Sequence, residues 1–595
     1  MSEATELRKE SRERYQAPNF WLERARESQR FMREFGGSDD WMLYRNYYRG
    51  NFGSEYFYNL FYIYIRSIMP SVYYRNPTVI NTPMRQFGPD PDPVRIIGAR
   101  VFDSIDAFLM KRMNFKDVIR DVIFDAICSS QGVVKIGYSS EYGDLGKATD
   151  QMLGSDKSFV EHNTDVRNGM PWIARTEPET FCVPFGTRRK RQTPWIIHMI
   201  LRATEDVRNS PYYKGTKDLA GTHLNLMQEY FQQNQLVNFA ENSDWTELHE
   251  VYDKRHGTIG TYIPTLPSAD GDKDPLWVRD FSADNIMTTL DDDPFENLCF
   301  NEDPMFFWGA SDFRQLKPVQ DEINEVKHQT RAHRRIALLR ILYNVGMIDP
   351  AEVAKFLDAD KPGIGIPVKG DPNGAFAMLT PYIPPDLMSW AREVQEDGRV
   401  LTGVGKQQSG VAQGGRKTAT EIQTAQMGYD LRVGERRDQV ADFISRVMTK
   451  VNKIVAKYWS AADALPVVGL DGAVYWVEFN RNVLQGQYTT RVDADELSPT
   501  SMALRRQEIM QVMQTLGPNA NSDFLFRQLL GLYDWADIPS ILPQGGNGQQ
   551  MPMDAFMSQQ TQMSPEARQN GMANAMQALQ GAPQNAAVGG SEGEF

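Results

Sequence analysis

Thr402-Gly-Val-Gly-Lys-Gln-Gln-Ser-Gly-Val-Ala-Gln-Gly-Gly-Arg-Lys417, followed at once by Thr418-Ala-Thr-Glu421, is where this sequence changes character. The stretch 402–417 is rich in glycine and holds no acidic residue. It cannot pack a core of its own, and each Gly lowers helical preference by roughly 1 kcal/mol relative to Ala. It predicts a mobile loop presenting Lys406, Gln407, Gln408, Arg416 and Lys417. Thr418 and Glu421 then form a capping-box pattern, Thr418 as N-cap and Glu421 at the third helical position. No Pro falls between Thr418 and Trp459, and Val440, Ile444, Val447, Val451, Ile454 and Tyr458 alternate at steps of four and three. That is an apolar stripe along one helix face. A helix over this span would be about 60 Å long, well beyond the usual globular helix. Gly428 and Gly434 are where it is expected to bend or break.

Working upstream, Trp390–Gly398 reads as a helix and Asp312–Leu342 as a second long one. In the latter, Leu316, Val319, Ile323 and Val326 set an apolar register that Thr330, His333 and Ala337 continue. Asp321, Glu322 and Glu325 lie in its first half. Lys327, His328, Arg331, His333, Arg334, Arg335 and Arg340 lie in its second. Acids near the start and bases near the end complement a helix dipole. The absence of any acid from Val326 to Ile348 equally fits an anionic partner or an acidic neighbouring subunit, and both readings stay open. Between the two helical regions, Asp349–Pro385 reads as a compact insertion. It has a short helix at Pro350–Leu357 with Pro in its first turn, and strands at Pro362–Gly370 and Gly374–Thr380 around the turn Asp371-Pro-Asn373.

Towards the N-terminus, residues 1–50 read as charged helices. Trp41, Tyr44, Tyr47 and Tyr48 suit either an interface or a core. Phe57–Tyr74 is the most apolar run, yet it is aromatic and interrupted by Asn59, Arg66 and Pro70. A spanning helix needs about 20 mainly apolar residues, so buried core or subunit interface is the reading. Amphipathic helices follow at Val94–Met113 and Phe115–Cys128, then a strand at Gly132–Tyr138. Trp172–Pro184, Trp195–Arg202, Leu248–His256 and Leu276–Phe281 are short β-like runs, and Lys214–Ser243 reads as a helical insertion. Strands at Tyr475–Asn480 and up to Val492 precede helices at Ser498–Leu516 and Asp523–Leu532. Beyond Pro543 the chain is rich in Gln, Met, Gly, Asn and Ala, and reads as disordered or weakly helical.

The 595 residues allow three or four domains with ample core. A formal net charge of −13 excludes a surface that binds nucleic acid all over, so any DNA contact is local or repulsive. Cys128, Cys182 and Cys299 are too far apart for a metal motif or a disulfide framework, which points to buried thiols in a reducing compartment. Met1–Tyr15 alternates charges, so no secretory signal is expected.

Motifs for chemistry fail. Gly405-Lys406 could end a phosphate-binding loop, but GxxxxGK[ST] needs Gly at 400, which is Val400, and Ser or Thr at 407, which is Gln407. His328 and His333 lack the carboxylate of an HExxH site, and no G-x-S-x-G elbow appears. The basic run Arg188-Arg-Lys-Arg191 and the acidic triplet Asp291-Asp-Asp293 read as solvated turns. No cofactor, metal or catalytic set is expected, although catalytic residues need not be local in sequence.

The order of parts over Asp312–Trp459 resembles tailed-bacteriophage portal proteins, the subunits of head-to-tail connector rings. Gln315–Asn324 is similar to the start of the first stem helix, Asp349–Pro385 to the clip and Leu387–Val400 to the second stem helix. Thr402–Lys417 is similar to the tunnel loop, and Thr418-Ala-Thr-Glu421 to the start of the long tunnel helix. The resemblance implies an α+β, mainly α, subunit. Residues 1–311 would hold N-terminal helices and a β-containing wing, 312–345 the first stem helix and 346–385 the clip. Residues 386–401 would be the second stem helix, 402–417 the tunnel loop, and 418–497 the tunnel helix with returning wing strands. A helical crown at 498–542 and a low-complexity tail at 543–595 would complete the chain.

It further implies a structural ring of about twelve copies at one capsid vertex, in the virion and assembled in the host cytoplasm. Double-stranded DNA would pass through the ring during packaging and ejection. Partners would be further copies, the major capsid protein, the large terminase and head-tail adaptor or head-completion proteins, with no membrane. Lys406, Gln407, Gln408, Arg416 and Lys417 would line the channel. Lys327, Arg331, Arg334, Arg335 and Arg340 would meet DNA, a subunit or an adaptor. The alternatives are another ring-forming phage head-tail protein, or an enzyme with non-local catalytic residues.

Overall fold

The computed structural model describes residues 17–50, 58–84, 93–139, 170–210, 213–217, 245–264, 275–283, 285–336, 340–357, 367–379, 385–403, 419–459, 464–468, 474–478, 488–492 and 494–497, with a few shorter pieces beyond. The chain divides into two compact units. One comprises Met1–Leu43, Arg66–Asp312 and Lys417–Phe595, the other Tyr44–Ile65 and Phe313–Arg416. Helix and strand are mixed throughout, in keeping with α+β.

The first unit is built on one helix, Ala419–Tyr458, 40 residues long. It starts within a residue of the capping box and runs straight through Gly428 and Gly434, so the expected break does not occur. Hydrogen bonding along the helix outweighs the modest preference lost at two glycines. The predicted stripe is the buried face: Val440, Ile444, Val447, Val451 and Ile454 have no exposed surface.

Around this helix stand strands and two further helices. Pro93–Arg112 and Phe115–Ser129 bury Ile97, Val101, Ile105 and Val118, Val122, Ile123, as their periodicity predicts. Gly132–Ser139 is the centre of a three-stranded sheet, antiparallel to Met170–Thr176 on one side and Phe295–Leu298 on the other. A five-stranded antiparallel sheet runs Phe181–Cys182, Trp195–Ala203, Trp245–Asp253, Thr258–Ile263, Leu276–Ala283. Thr258–Ile263, Phe295–Leu298 and Ala464–Val468 are strands that the sequence reading missed. Helix Pro18–Phe31 packs Trp21, Leu22 and Ala25 onto the five-stranded sheet at Trp195, Ile197, Val251 and Tyr262. Cys128, Cys182 and Cys299 are buried thiols outside any disulfide, as expected. Burial pushes the Cys182 and Cys299 thiols up to about 12.

The tail reading needs one correction. Gln550–Pro552 adds a parallel strand to Val474–Glu478, pairing Trp476 with Gln550 and Glu478 with Pro552. A strand need only satisfy backbone groups along an existing edge, so three residues of low-complexity chain suffice. The predicted loop 139–168 lies outside the described residues from 140 onward, as do most of Lys214–Ser243 and of the predicted helices after Ser498.

In the second unit, Trp390–Gly398 is the middle of a helix spanning Pro385–Thr402. Asp312–Ile336 is helical, but the predicted continuation to Leu342 is not. Arg340–Tyr343 is instead a strand, antiparallel to Phe376–Leu379. Pairing thus replaces the strand partner expected at Pro362–Gly370, whose described part, 367–370, is irregular. Ile348, Val353 and Ala375 form the small core under this ladder. The aromatic steps 41, 44 and 47 resolve as core, since all three side chains are buried. In this unit Phe61 stacks on Phe313 at 4.2 Å, with Tyr44 and Tyr47 edge-on to Phe61. Gln320, an uncharged polar residue buried on the first long helix, accepts from Leu60 N and donates to Tyr58 O, each at 2.8 Å. It fastens the start of helix Leu60–Val72.

A buried polar knot closes the first unit at the long helix. Asn452 and Asn81 both donate to Asp106 Oδ2, at 3.2 and 2.8 Å, and Thr490 Oγ1 donates to Asn81 Oδ1 at 2.8 Å. Burial raises the Asp106 carboxyl to about 8, although the two amides oppose the shift. A carboxyl raised by folding lends stability that is whole below its unfolded value, 3.8, and is lost as pH rises through about 8. Thermal melts across that window should therefore fall with pH in the wild type. Asp106→Asn, permanently neutral, should flatten the slope and melt no lower than the wild type above pH 8.

Candidate functional site

Two charged runs read as solvated turns meet in the interior. The backbone turns at Asp291, whose φ of 55° is left-handed, and delivers Asp292 and Asp293 ahead of strand Phe295–Leu298. Asp293 is fully buried. Lys190 comes from the basic run: a short 3-10 turn, Lys190–Gln192, points its side chain inward, where it is 4% exposed. Its Nζ lies 2.8 Å from Asp293 Oδ1, 3.7 Å from Glu296 and 3.8 Å from Asp292. Lys254 reaches Asp292 at 2.5 Å and Asp293 at 2.9 Å.

The long helix completes the cluster. Lys450 Nζ sits 2.7 Å from Glu296 Oε1 and 3.1 Å from Asp292, and donates to the carbonyls of Asp293 and Phe295. One turn earlier, Arg446 contacts Glu296 Oε2 at 3.2 Å and the Asn297 carbonyl at 3.0 Å. Burial alone would raise Glu296, but Lys190, Lys450 and Arg446 outweigh it and hold the carboxyl down to about 2. Asp292 is likewise held well below the usual carboxylate range, against its burial, by Lys190, Lys450 and Lys254. Lys450 was detectable in the sequence: it stands three after Val447 and four before Ile454, a lysine inside the apolar stripe. Such a residue must find a buried partner.

A second ionic group resembles catalytic machinery and is sealed. Lys135 Nζ lies 2.9 Å from Glu250 Oε2, Tyr252 donates to the same oxygen at 2.7 Å, and His198 Nδ1 is 3.4 Å from Lys135. Lys135, His198, Arg202 and Glu250 are each at most 5% exposed. No substrate reaches such a set, so it serves to join strand Gly132–Ser139 to the five-stranded sheet. Among the described residues no group of three or more His, Cys, Asp or Glu side chains could hold a metal ion.

The predicted contact residues are placed as follows. Lys327, Arg331, Arg334 and Arg335 lie on the last turns of helix Asp312–Ile336, at spacings of four, three and one that put them on one flank. Arg334 and Arg335 are exposed, Lys327 and Arg331 half-buried. Arg340 is not on that helix; it opens the next strand. Lys406, Gln407, Gln408, Arg416 and Lys417 lie outside the described residues.

Removing one partner of a buried ion pair leaves the others uncompensated, at a cost of about 3–5 kcal/mol. Lys190→Met should lose about that much, read as a lowered thermal midpoint, whereas Arg191→Met on the same turn should lose little. Glu296 binds its proton more weakly in the fold, so its contribution is whole above 4.5 and lost as pH falls towards about 2. Acid unfolding of Glu296→Gln should accordingly be shallower than that of the wild type in that window.

Among known proteins, no curated sequence matches this chain. The family model described as phage P22-like portal protein matches residues 311–588. That span opens one residue before helix Asp312–Ile336 and takes in the small α/β insertion, helix Pro385–Thr402 and the 40-residue helix. Over that span, just under half of its length, the chain is similar to the phage P22-like portal proteins, which supports a phage portal protein.

Proposed function

We propose that this chain is the subunit of a ring at one capsid vertex, with an axial channel that passes double-stranded DNA during packaging and ejection. The ring docks the large terminase and then head-tail adaptor proteins. Portal proteins are structural rather than enzymatic, assemble as rings with capsid and packaging partners, and are components of the virion. The observation that carries the finer reading is the order of parts inside the matched span. A long helix, a small α/β insertion, a second helix, a glycine-rich stretch and a 40-residue helix follow one another there. Among the described residues no helix is long and apolar enough to cross a membrane.

The charge balance suits passage rather than grip. Each phosphate neutralised adds counterion-release affinity, so a channel that held DNA by many cations would stall it. A subunit of net charge −13, with 77 acidic against 64 basic residues, lets DNA slide. Lys406, Gln407, Gln408, Arg416 and Lys417 line the constriction in this reading. The basic flank at Lys327, Arg331, Arg334 and Arg335, with Arg340 beyond it, meets DNA, a neighbouring copy or an adaptor.

Native mass spectrometry with negative-stain imaging tests the assembly. A closed ring of roughly a dozen chains with an axial channel is the expected result; a compact dimer or tetramer without a channel would remove the reading. For the loop, Lys406→Glu should change packaging or DNA retention while rings still form. Unaltered packaging across substitutions at all five positions would take the loop out of contact with DNA.

A further inference from the structure

Helix Asp312–Ile336 changes the make-up of its inner stripe along its length. Leu316, Gln320, Ile323 and Asn324 are buried on that stripe. Steps of three and four carry it on from Asn324 to Lys327, Arg331 and Arg334, with Arg335 beside them. The register that packs the core upstream is therefore cationic over the last turns. No described residue forms an ion pair with Lys327, Arg331, Arg334 or Arg335. On the 40-residue helix, by contrast, Arg436 holds Asp312 and Arg446 holds Glu296.

The flank carries one sign of charge. No acid stands between Val326 and Ile348. The acids earlier on the helix are directed away from it: at 3.6 residues per turn Glu322 lies about 180° from Arg331, and Glu325 about 160° from Lys327. Glu322 accepts from Trp390 Nε1 at 2.8 Å, and Glu325 from Gln329 Nε2 at 2.9 Å. Asp321 lies more than one turn before the first of the four cations.

We infer that this flank is a sequence-independent contact for the phosphate backbone of double-stranded DNA, and that it holds a duplex at rest. The inference rests on the channel reading above and names one of the three partners left open there. Composition decides between them. The centre of a protein interface gathers aromatic and Met side chains and is depleted in Lys. Residues 327–335 hold no Leu, Ile, Val, Met, Phe, Tyr or Trp. Phosphate contacts need only cations, and the guanidinium fork matches two phosphate oxygens at once. Ring symmetry would repeat the flank around the axis, so a duplex would meet it at any rotation. The attraction is confined to one level of a chain whose net charge stays at −13. A motor-driven duplex passes such a hold, and a stationary one is kept by it.

Fluorescence anisotropy of two labelled duplexes of unrelated sequence on intact rings tests the inference between about 50 and 200 mM salt. The variants are Arg331→Gln/Arg334→Gln/Arg335→Gln and, as a control, Arg392→Gln, an exposed arginine on helix Pro385–Thr402. The triple variant should still close into rings and bind both duplexes roughly tenfold or more weakly at the lower salt. Its slope of log affinity against log salt should fall by roughly 0.9 for each phosphate contact removed. The control should bind as the wild type. Triple-variant rings that bind DNA with wild-type affinity and slope, a loss as large in Arg392→Gln, or a loss for only one duplex would overturn the inference and leave the portal ring standing. A triple variant that no longer closes into rings overturns it too, by giving the flank to a neighbouring copy. A wild-type chain that never forms a closed ring removes the ring reading itself.

Discussion

Lys190 and Lys450 share the carboxylates of Asp292, Asp293 and Glu296, and the first unit is arranged around that sharing. Four separate segments must arrive together: the basic turn, the hairpin turn at Lys254, the left-handed turn at Asp291 and the last third of the long helix. Four cations, Lys190, Lys254, Lys450 and Arg446, face three carboxylates. An apolar packing of the same volume could be as stable, because desolvating so many charges offsets most of their attraction. What the ions add is position, since an apolar helix face tolerates sliding and a lysine among carboxylates does not.

Position matters most along the long helix. Lys450 enters the ion cluster, and two residues later Asn452 enters the knot with Asp106 and Asn81. Towards the helix start, Arg436 grips Asp312 through two bonds of 2.6 and 2.9 Å. Slipping the helix by one turn, about 5.4 Å, would break all three at once while leaving the apolar stripe nearly as well buried. A long helix with one permitted register gives every copy of the chain the same surface, which is what closing a symmetric ring would require.

Much of this was readable beforehand, for identifiable reasons. The stripe from Val440 to Ile454 repeats over several turns, so local pattern and tertiary packing agree. The strand Arg340–Tyr343 was not readable, because its partner lies more than thirty residues away and the basic helix pattern ran on into it. The buried roles of Lys190 and Asp293 were invisible for a related reason. Charge runs are solvated on average, and only the meeting of two distant ones makes burial tolerable. Gly428 and Gly434 erred the other way: intrinsic preference predicted a break that cooperative hydrogen bonding overrides.

The small parallel strand Gln550–Pro552 bears on how the chain avoids unwanted association. It occupies one side of Val474–Glu478, whose other side is taken by Ala464–Val468. Without it, the backbone donors and acceptors along Trp476–Glu478 would form an open edge, a template for any extended chain. The glutamine- and methionine-rich end therefore does more than trail from a finished domain. A shortened chain ending before residue 550 would keep every helix described above yet carry an adhesive border, and its failure would show as clumping rather than as unfolding.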